Sequence, residues 1–495
     1  MTAESDSPAA APRRPPSAVT IRILALAAVA ASSALLFWGT GLHPLWWLTW
    51  FAPLPVLLVA PRLGRWSAFF AAAVAWYVGS LNLWHYLLAN FVTLPLVVIA
   101  SALGSCLFGL AVLLWRTFVL RGSPWKAALA FPAFWVAFEY LYNLASPNAT
   151  FGNLAYTQMD FLPLLQVASL AGIWAITFCL FLFPAALAAA LSGPGRARER
   201  VRVSLAAAVF LAAVIAFGAW RLAPNCAPCQ SVTVALIATG AHTTFPHDDP
   251  AALSLLRKYF SWALSLAPRG GIVVLPEKIA VVSDQAVGQV DSLFAAAADS
   301  TGAGILVGID RGTASNRFNE ARLYSPGGGP PIIYDKHHMV PGLENVDRPG
   351  TAIATVGRPS GVWGIQICKD LDFPALSRQY GARGVGLLLV PAWDFTEDAW
   401  LHGRMAVLRG VESGFTIARA AKQGLLTISD DRGRILTDFD DTPQPFLAVT
   451  FPAPVRHDDT LYTRWGDWFA WLNVAALVAL LLSASRGELP AHPTR

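Results

Sequence analysis

Apolar residues crowd the chain in long runs up to about residue 220, thin to an ordinary globular alternation over the next two hundred or so positions, and return in one run near the end. The runs at roughly 20–39, 44–61, 66–89, 91–115, 126–144, 163–192, 202–220 and 468–485 each reach the length of about 20 residues that a bilayer core demands of a helix. About eight membrane helices are therefore expected. The intervening block shows a different rhythm, in which strand-like runs such as Val232-Thr233-Val234-Ala235-Leu236-Ile237, Ile272-Val273-Val274-Leu275 and Val385-Gly386-Leu387-Leu388-Leu389-Val390 alternate with helix-like stretches. Asp249 can cap a helix running to about Leu266, and further helices are expected near 283–299, from Pro374 to about Tyr380, and from Glu397 to about Ser413. The pattern is an α-helical membrane bundle carrying an α/β domain. It divides the chain into 1–222, a bundle of seven spans; 223–455, the α/β domain; and 456–495, a last span with its tail.

Composition agrees: 55% of residues are hydrophobic and 14% charged, with 19 Trp and a mean hydropathy of +0.49. A soluble fold cannot hide so much apolar surface. The net charge of +5 is chiefly topological. Arg13 and Arg14, then Arg62 and Arg65, then Arg116, Arg121 and Lys126, then Arg196, Arg198, Arg200 and Arg202 mark every second connection, and Arg486 and Arg495 lie in the tail. By the positive-inside rule both ends face the cytoplasm and the α/β block lies on the outer face, which in a bacterial inner membrane is the periplasm. No basic stripe with interleaved aromatics appears, so no nucleic-acid partner is expected.

Three strand-like runs end on chemically capable side chains: Glu277 after Leu275-Pro276, Lys336 after Tyr334-Asp335, and Cys368 after Ile365-Gln366-Ile367. If these strand ends share the edge of one sheet, a carboxylate, an amine and a thiol meet as base, cation and nucleophile. A thiol is only a few per cent thiolate at neutral pH and needs such help; Glu277 can take its proton, and Lys336 can lower its pKa and hold an oxyanion. Taken singly, a core cysteine at Cys368 and a salt bridge between Glu277 and Lys336 are the favoured readings; it is the set of three that points to chemistry. His337 and His338 are adjacent, point apart in a strand and do not make a zinc site; no metal or other cofactor is implied. Glu139 sits inside a span, where a charge faces a bundle interior or a cavity. Cys106 and Cys179 read as small buried hydrophobes. Cys226-Ala227-Pro228-Cys229 reads as a disulfide or two idle thiols.

The order Pro276-Glu277, then Tyr334-x-Lys336-x-His338-x-Val340-Pro341, then Ile367-Cys368-x-Asp370-x-x-Phe373-Pro374 resembles the nitrilase superfamily. Its occurrence within a many-span membrane protein, with Phe134 to Tyr140, Phe151 to Gln158 and Leu165 to Gly172 in the bundle, resembles the bacterial apolipoprotein N-acyltransferases. The resemblance implies a four-layer αββα sandwich and a Glu277-Lys336-Cys368 triad. It also implies a further glutamate, Glu344, beside the lysine. The implied reaction passes an acyl group from a phospholipid donor, through a cysteine thioester, to the N-terminal amine of a lipoprotein acceptor. Lys369 and Asp370 stand where these acyltransferases commonly carry Tyr-Glu, Leu275 stands where they commonly carry Trp, and Pro391-Ala392-Trp393 is closer to soluble amidases. These departures make Lys369 and Asp370 candidates for substrate positioning. They also keep open an alternative, a membrane-anchored amidase or nitrilase whose intermediate is resolved by water.

Overall fold

The computed structural model describes residues 17–90, 92–192, 196–224, 230–239, 245–313, 315–442 and 446–486. Cys226 and Cys229 lie outside them, as do Arg13, Arg14 and Arg495. Six described helices are long and apolar enough to cross a membrane: Ala18–Gly39, Arg65–Ala89, Leu94–Leu120, Ile173–Ser192, Ala197–Leu222 and Trp468–Ser485. A seventh, Pro124–Ala145, has 22 residues but carries Lys126 and Glu139. The count is thus six to seven rather than eight, and the prolines of the second expected run account for a lost span. The expected span at 44–61 contains Pro44, Pro53, Pro55 and Pro61 and breaks into Trp46–Leu48, Leu54–Val59 and Ala60–Arg62, because proline removes an N–H and clashes with the preceding turn. The run 163–192 is interrupted at Gly172, which adopts a left-handed φ of 67°, so only Ile173–Ser192 is long. Outward-facing side chains such as Leu26, 72% exposed, are those of a surface solvated by lipid. Cys106 is on that surface, not buried as expected, whereas Cys179 is buried.

Thirteen strands follow among the described residues: β1 (Gln230–Ala238), β2 (Ile272–Val274), β3 (Val281–Val282), β4 (Gly304–Thr313), β5 (Asn316–Tyr324), β6 (Ile332–Asp335), β7 (Ala354–Arg358), β8 (Gly361–Ile365), β9 (Val385–Trp393), β10 (Thr416–Lys422), β11 (Leu425–Ser429), β12 (Ile435–Asp440) and β13 (Leu447–Val455). They form two sheets, β13-β1-β2-β4-β5-β6 with β3 beside β4, and β12-β11-β10-β9-β8-β7. Successive side chains of a strand point to opposite faces, and β1 shows the consequence. Val234 and Leu236 join the core between the sheets, with Ile272, Leu306, Ile365, Leu389 and Ile417. Ala235 and Ile237 face the other way, onto Leu256, Tyr259 and Phe294 of the helices Asp249–Leu266 and Val287–Thr301. Asp248, not Asp249, caps the first of these, accepting from Ala251 N. The second sheet is covered by Pro374–Gly381 and Ala399–Ser413, which completes an αββα sandwich.

The helix Ala399–Ser413 is also the seat on the bundle. Leu401, Met405, Leu408 and Val411 pack with Leu164, Trp174 and Ile176. Glu412 accepts from the first amide of Ile173–Ser192 at 2.7 Å, a favourable place for a carboxylate because the N-terminal amides of a helix lack partners. Asp458 pairs with Arg221 at 2.5 Å and Arg432 at 2.8 Å. Sandwich and bundle are joined by buried polar contacts as well as by apolar packing.

Candidate active site

The three candidate strand ends do not share one sheet, as the sequence suggested; they belong to two. Glu277 follows β2 and Lys336 follows β6 in the first sheet, while Cys368 follows β8 in the second. The facing edges are stitched together where Glu277 N donates to the Ala392 carbonyl of β9 at 3.3 Å. Gly308 of β4 permits the approach: a Cβ there would lie 2.3 Å from the Pro276 carbonyl oxygen and 2.8 Å from Glu277 Cα.

Lys336 is almost completely buried, and its Nζ donates to Glu277 Oε1 and Glu344 Oε2, each at 2.8 Å. Asn319 of β5 donates from one Nδ2 to Glu277 Oε1 at 2.6 Å and Glu344 Oε1 at 2.9 Å. Burial works against the Lys336 charge, but Glu277 and Glu344 outweigh it and hold the ammonium well above the usual lysine range. Burial likewise opposes the Glu344 carboxylate, yet Lys336 and Lys278 bring its pKa down to about 2. Lys278 extends the array through Glu344 at 2.9 Å, Asp310 at 3.3 Å and Asp347. The cluster is a fixed lattice of alternating charge.

Cys368 has φ 42°, an unfavourable conformation for a residue with a Cβ, and it opens the short turn Cys368–Asp372. Its Sγ donates to the Trp393 carbonyl at 3.5 Å. The residue retains some exposure, but burial is the largest influence on the thiol and pushes it up; Glu277 adds to this, and Lys336 pulls the other way without prevailing. The sequence-based expectation that Lys336 lowers the thiol pKa thus has the right sign and too little strength.

Asp370 is wholly buried. Its Oδ1 accepts from His337 N at 3.1 Å, His338 N at 2.9 Å and His338 Nδ1 at 3.1 Å, and its Oδ2 from Tyr334 Oη at 2.7 Å and Ile367 N at 3.2 Å. It ties the turn after Lys336 to the turn of Cys368. Lys369 is buried and turned toward the bundle, donating to Asn148 Oδ1 at 2.9 Å and Asp372 Oδ2 at 3.4 Å. Glu139 faces the bundle interior and accepts from Trp135 Nε1, Asn153 Nδ2, Leu154 N and Thr177 Oγ1; it braces the same 148–154 loop that meets Lys369.

Sequence reasoning missed Asn319, Lys278 and Lys422. Asn319 lies on β5, whose sequence Asn316-Arg317-Phe318-Asn319-Glu320 carries no apolar alternation to announce a strand. Lys422 ends β10, another strand not read from the sequence.

Residues 24–186 match the family model described as apolipoprotein N-acyltransferase N-terminal domain. The chain is similar to a Geobacter metallireducens protein named apolipoprotein N-acyltransferase, 30% identical, covering 93% of this chain and 94% of the relative. A Bradyrhizobium diazoefficiens protein of the same name is 26% identical over 82% of this chain and 81% of its own. Among solved structures, Saccharomyces cerevisiae Nit3, described as a member of branch 10 of the nitrilase superfamily, overlaps 46% of this chain and 90% of its own, with a TM-score of 0.39 and 18% identity.

Proposed function

Because the chain belongs to the apolipoprotein N-acyltransferase family, we propose that it transfers a fatty acyl group from a membrane phospholipid to the N-terminal α-amine of a lipoprotein's diacylglyceryl cysteine, through a thioester on Cys368. The observation that carries this reading is Lys336, clasped at 2.8 Å by Glu277 and Glu344, with Lys336 and Glu277 both acting on the Cys368 thiol.

Glu277 takes the thiol proton, and since Lys336 and Asn319 both bond its Oε1, Oε2 is assigned that task. Sγ attacks the ester carbonyl carbon, and the oxyanion forms beside the Lys336 ammonium. The acyl C–O bond then breaks, and Glu277 returns the proton to the departing glycerol oxygen, releasing lysophospholipid. In the second half the α-amine attacks the thioester and gives its proton to Glu277. The C–S bond breaks, and the thiolate recovers that proton. Glu344 keeps Lys336 charged, and Asp370 keeps the two turns in register.

The outer-face orientation has structural support at the far end of the bundle. Arg121 donates to the carbonyls of Ser483 and Ala484, and Lys126 to Ser483 Oγ, at the end of Trp468–Ser485 remote from the sandwich. Basic residues of this connection at that end support a cytoplasmic face there, and with it a sandwich on the periplasmic side of the inner membrane. A reporter fused near residue 460 should read as external and one after Arg486 as cytoplasmic.

The amidase alternative is not favoured, since the relatives that match bundle and sandwich together bear the acyltransferase name. Intact mass after exposure to phospholipid provides the test. An acyl adduct on Cys368, absent from Cys368→Ala and discharged by a diacylglyceryl-cysteine peptide, is expected. Hydrolysis of small amides without lipopeptide acylation would overturn the reading.

A further inference from the structure

Lys422 is a second buried lysine close to Cys368 and outside the cluster around Lys336. Its Nζ donates to the Lys278 carbonyl at 2.7 Å and lies 3.7 Å from the centre of the Trp393 ring and 5.1 Å from that of Phe245. Among the described residues no carboxylate lies within 4 Å of it. Trp393 is the same residue whose carbonyl receives the Cys368 thiol, and its indole is held from the other side by Gln423 Oε1 at 2.7 Å.

We propose that Lys422 is a positioning residue for the Cys368 nucleophile: seated on the Trp393 ring and the Lys278 carbonyl, it fixes the backbone that holds the thiol and supplies the pocket with a positive charge. The inference rests on Cys368 being the nucleophile. Lys336 is compensated by two carboxylates at 2.8 Å, so much of its field at the sulfur is cancelled, whereas a cation held on aromatic faces keeps most of its own. The groups facing Lys422 are Glu277 and Lys278 after β2, Asp310 on β4 and Cys368 after β8, with His247 beyond Phe245 and Asp441 behind Gln423. Burial brings the Lys422 amine down to about 7, with Glu277 and Asp310 opposing. Coupling between charges is reciprocal: if the Cys368 thiolate favours the ammonium, the ammonium favours the thiolate.

The test is the pH dependence of iodoacetamide alkylation of Cys368 in the full-length protein, followed on the Cys368 peptide by mass. Lys422→Met should slow alkylation about tenfold at about pH 6, where the wild-type ammonium is held, and leave the rate above about pH 8, where it is lost, unchanged; Lys422→Arg, charged throughout, should keep the fast rate across the range, a tenfold effect being about the size expected of one neighbouring charge. A purely structural role would lower the amount of folded protein without changing this pH dependence. Lys422→Gln keeps an N–H for the Lys278 carbonyl and carries the same comparison if the methionine variant does not fold. Wild-type rates at about pH 6 in the uncharged variants would overturn the inference. A wild-type protein that gains no acyl adduct on Cys368 from phospholipid would instead remove the nucleophile reading, and this inference with it.

Discussion

Thr150 donates its hydroxyl to the Asp372 carbonyl at 2.6 Å, so a loop of the membrane bundle is bonded to the turn that carries Cys368. The Thr150 amide adds a second bond to that carbonyl at 3.3 Å, and Asn148 receives Lys369. The proposed site is thereby held in fixed register with the bundle.

Thr150→Val removes the hydroxyl at nearly constant volume and leaves Tyr156 Oη without one of its partners. A buried bond of this kind is worth about 1–3 kcal/mol. The expected result is a lower thermal midpoint and a several-fold fall in turnover, measured by unfolding and by thioester formation on the same preparation.

Cys368→Ala should abolish the adduct while leaving the thermal transition close to wild type, since the side chain is small and its thiol makes one long hydrogen bond. Glu277→Gln should fail to form the thioester. Lys336→Ala is expected to lose stability as well, by about 3–5 kcal/mol, because two buried carboxylates are left without their shared cation. Wild-type rates in any of the three would remove the proposed triad.

Asp370→Glu looks conservative from the sequence, where only the reach of the acid changes. The structure reverses that expectation. Five donors converge on a fully buried carboxylate, and an added methylene has no room; overpacking of this kind costs about 1–3 kcal/mol. Both Asp370→Glu and Asp370→Asn should reduce turnover, read by acylation of a lipopeptide.

Gly308→Ala places a Cβ against the Pro276 carbonyl and Glu277 Cα. The backbone bearing Glu277 must move, so the variant should lose activity out of proportion to its modest loss of stability. Comparing the thioester rate with the thermal midpoint separates the two.

His402 contacts Asp398 through Nδ1 at 3.0 Å, and its ring lies beside Phe151 of the bundle loop. Burial opposes its charge, but Asp398 prevails and raises its pKa to about 9. A group whose folded pKa is raised adds stability that is fully present below the unfolded value, about 6.5, and is lost as pH rises through about 9. The thermal midpoint should therefore fall across that interval, and His402→Gln should flatten the fall.

The sequence by itself determined the two kinds of solvent this chain meets and the residues with chemical capacity. Long apolar runs mark helices whose hydrogen bonds close internally, and charges at the ends of strands mark Glu277, Lys336 and Cys368, because both signals are local. It overcounted the membrane helices where Pro53 and Pro55 break an apolar run, and overextended one across Gly172, since hydropathy registers composition and not the loss of an N–H or a left-handed φ. Only the tertiary structure decided that the three candidates come from two facing sheets, that Asn319 and Lys278 complete the charge array, and that Asp370 and Lys369 point to a turn and to the bundle instead of to solvent. Those outcomes depend on which strands pair and which loops dock, contacts between residues up to hundreds of positions apart. No periodicity within a short window carries them.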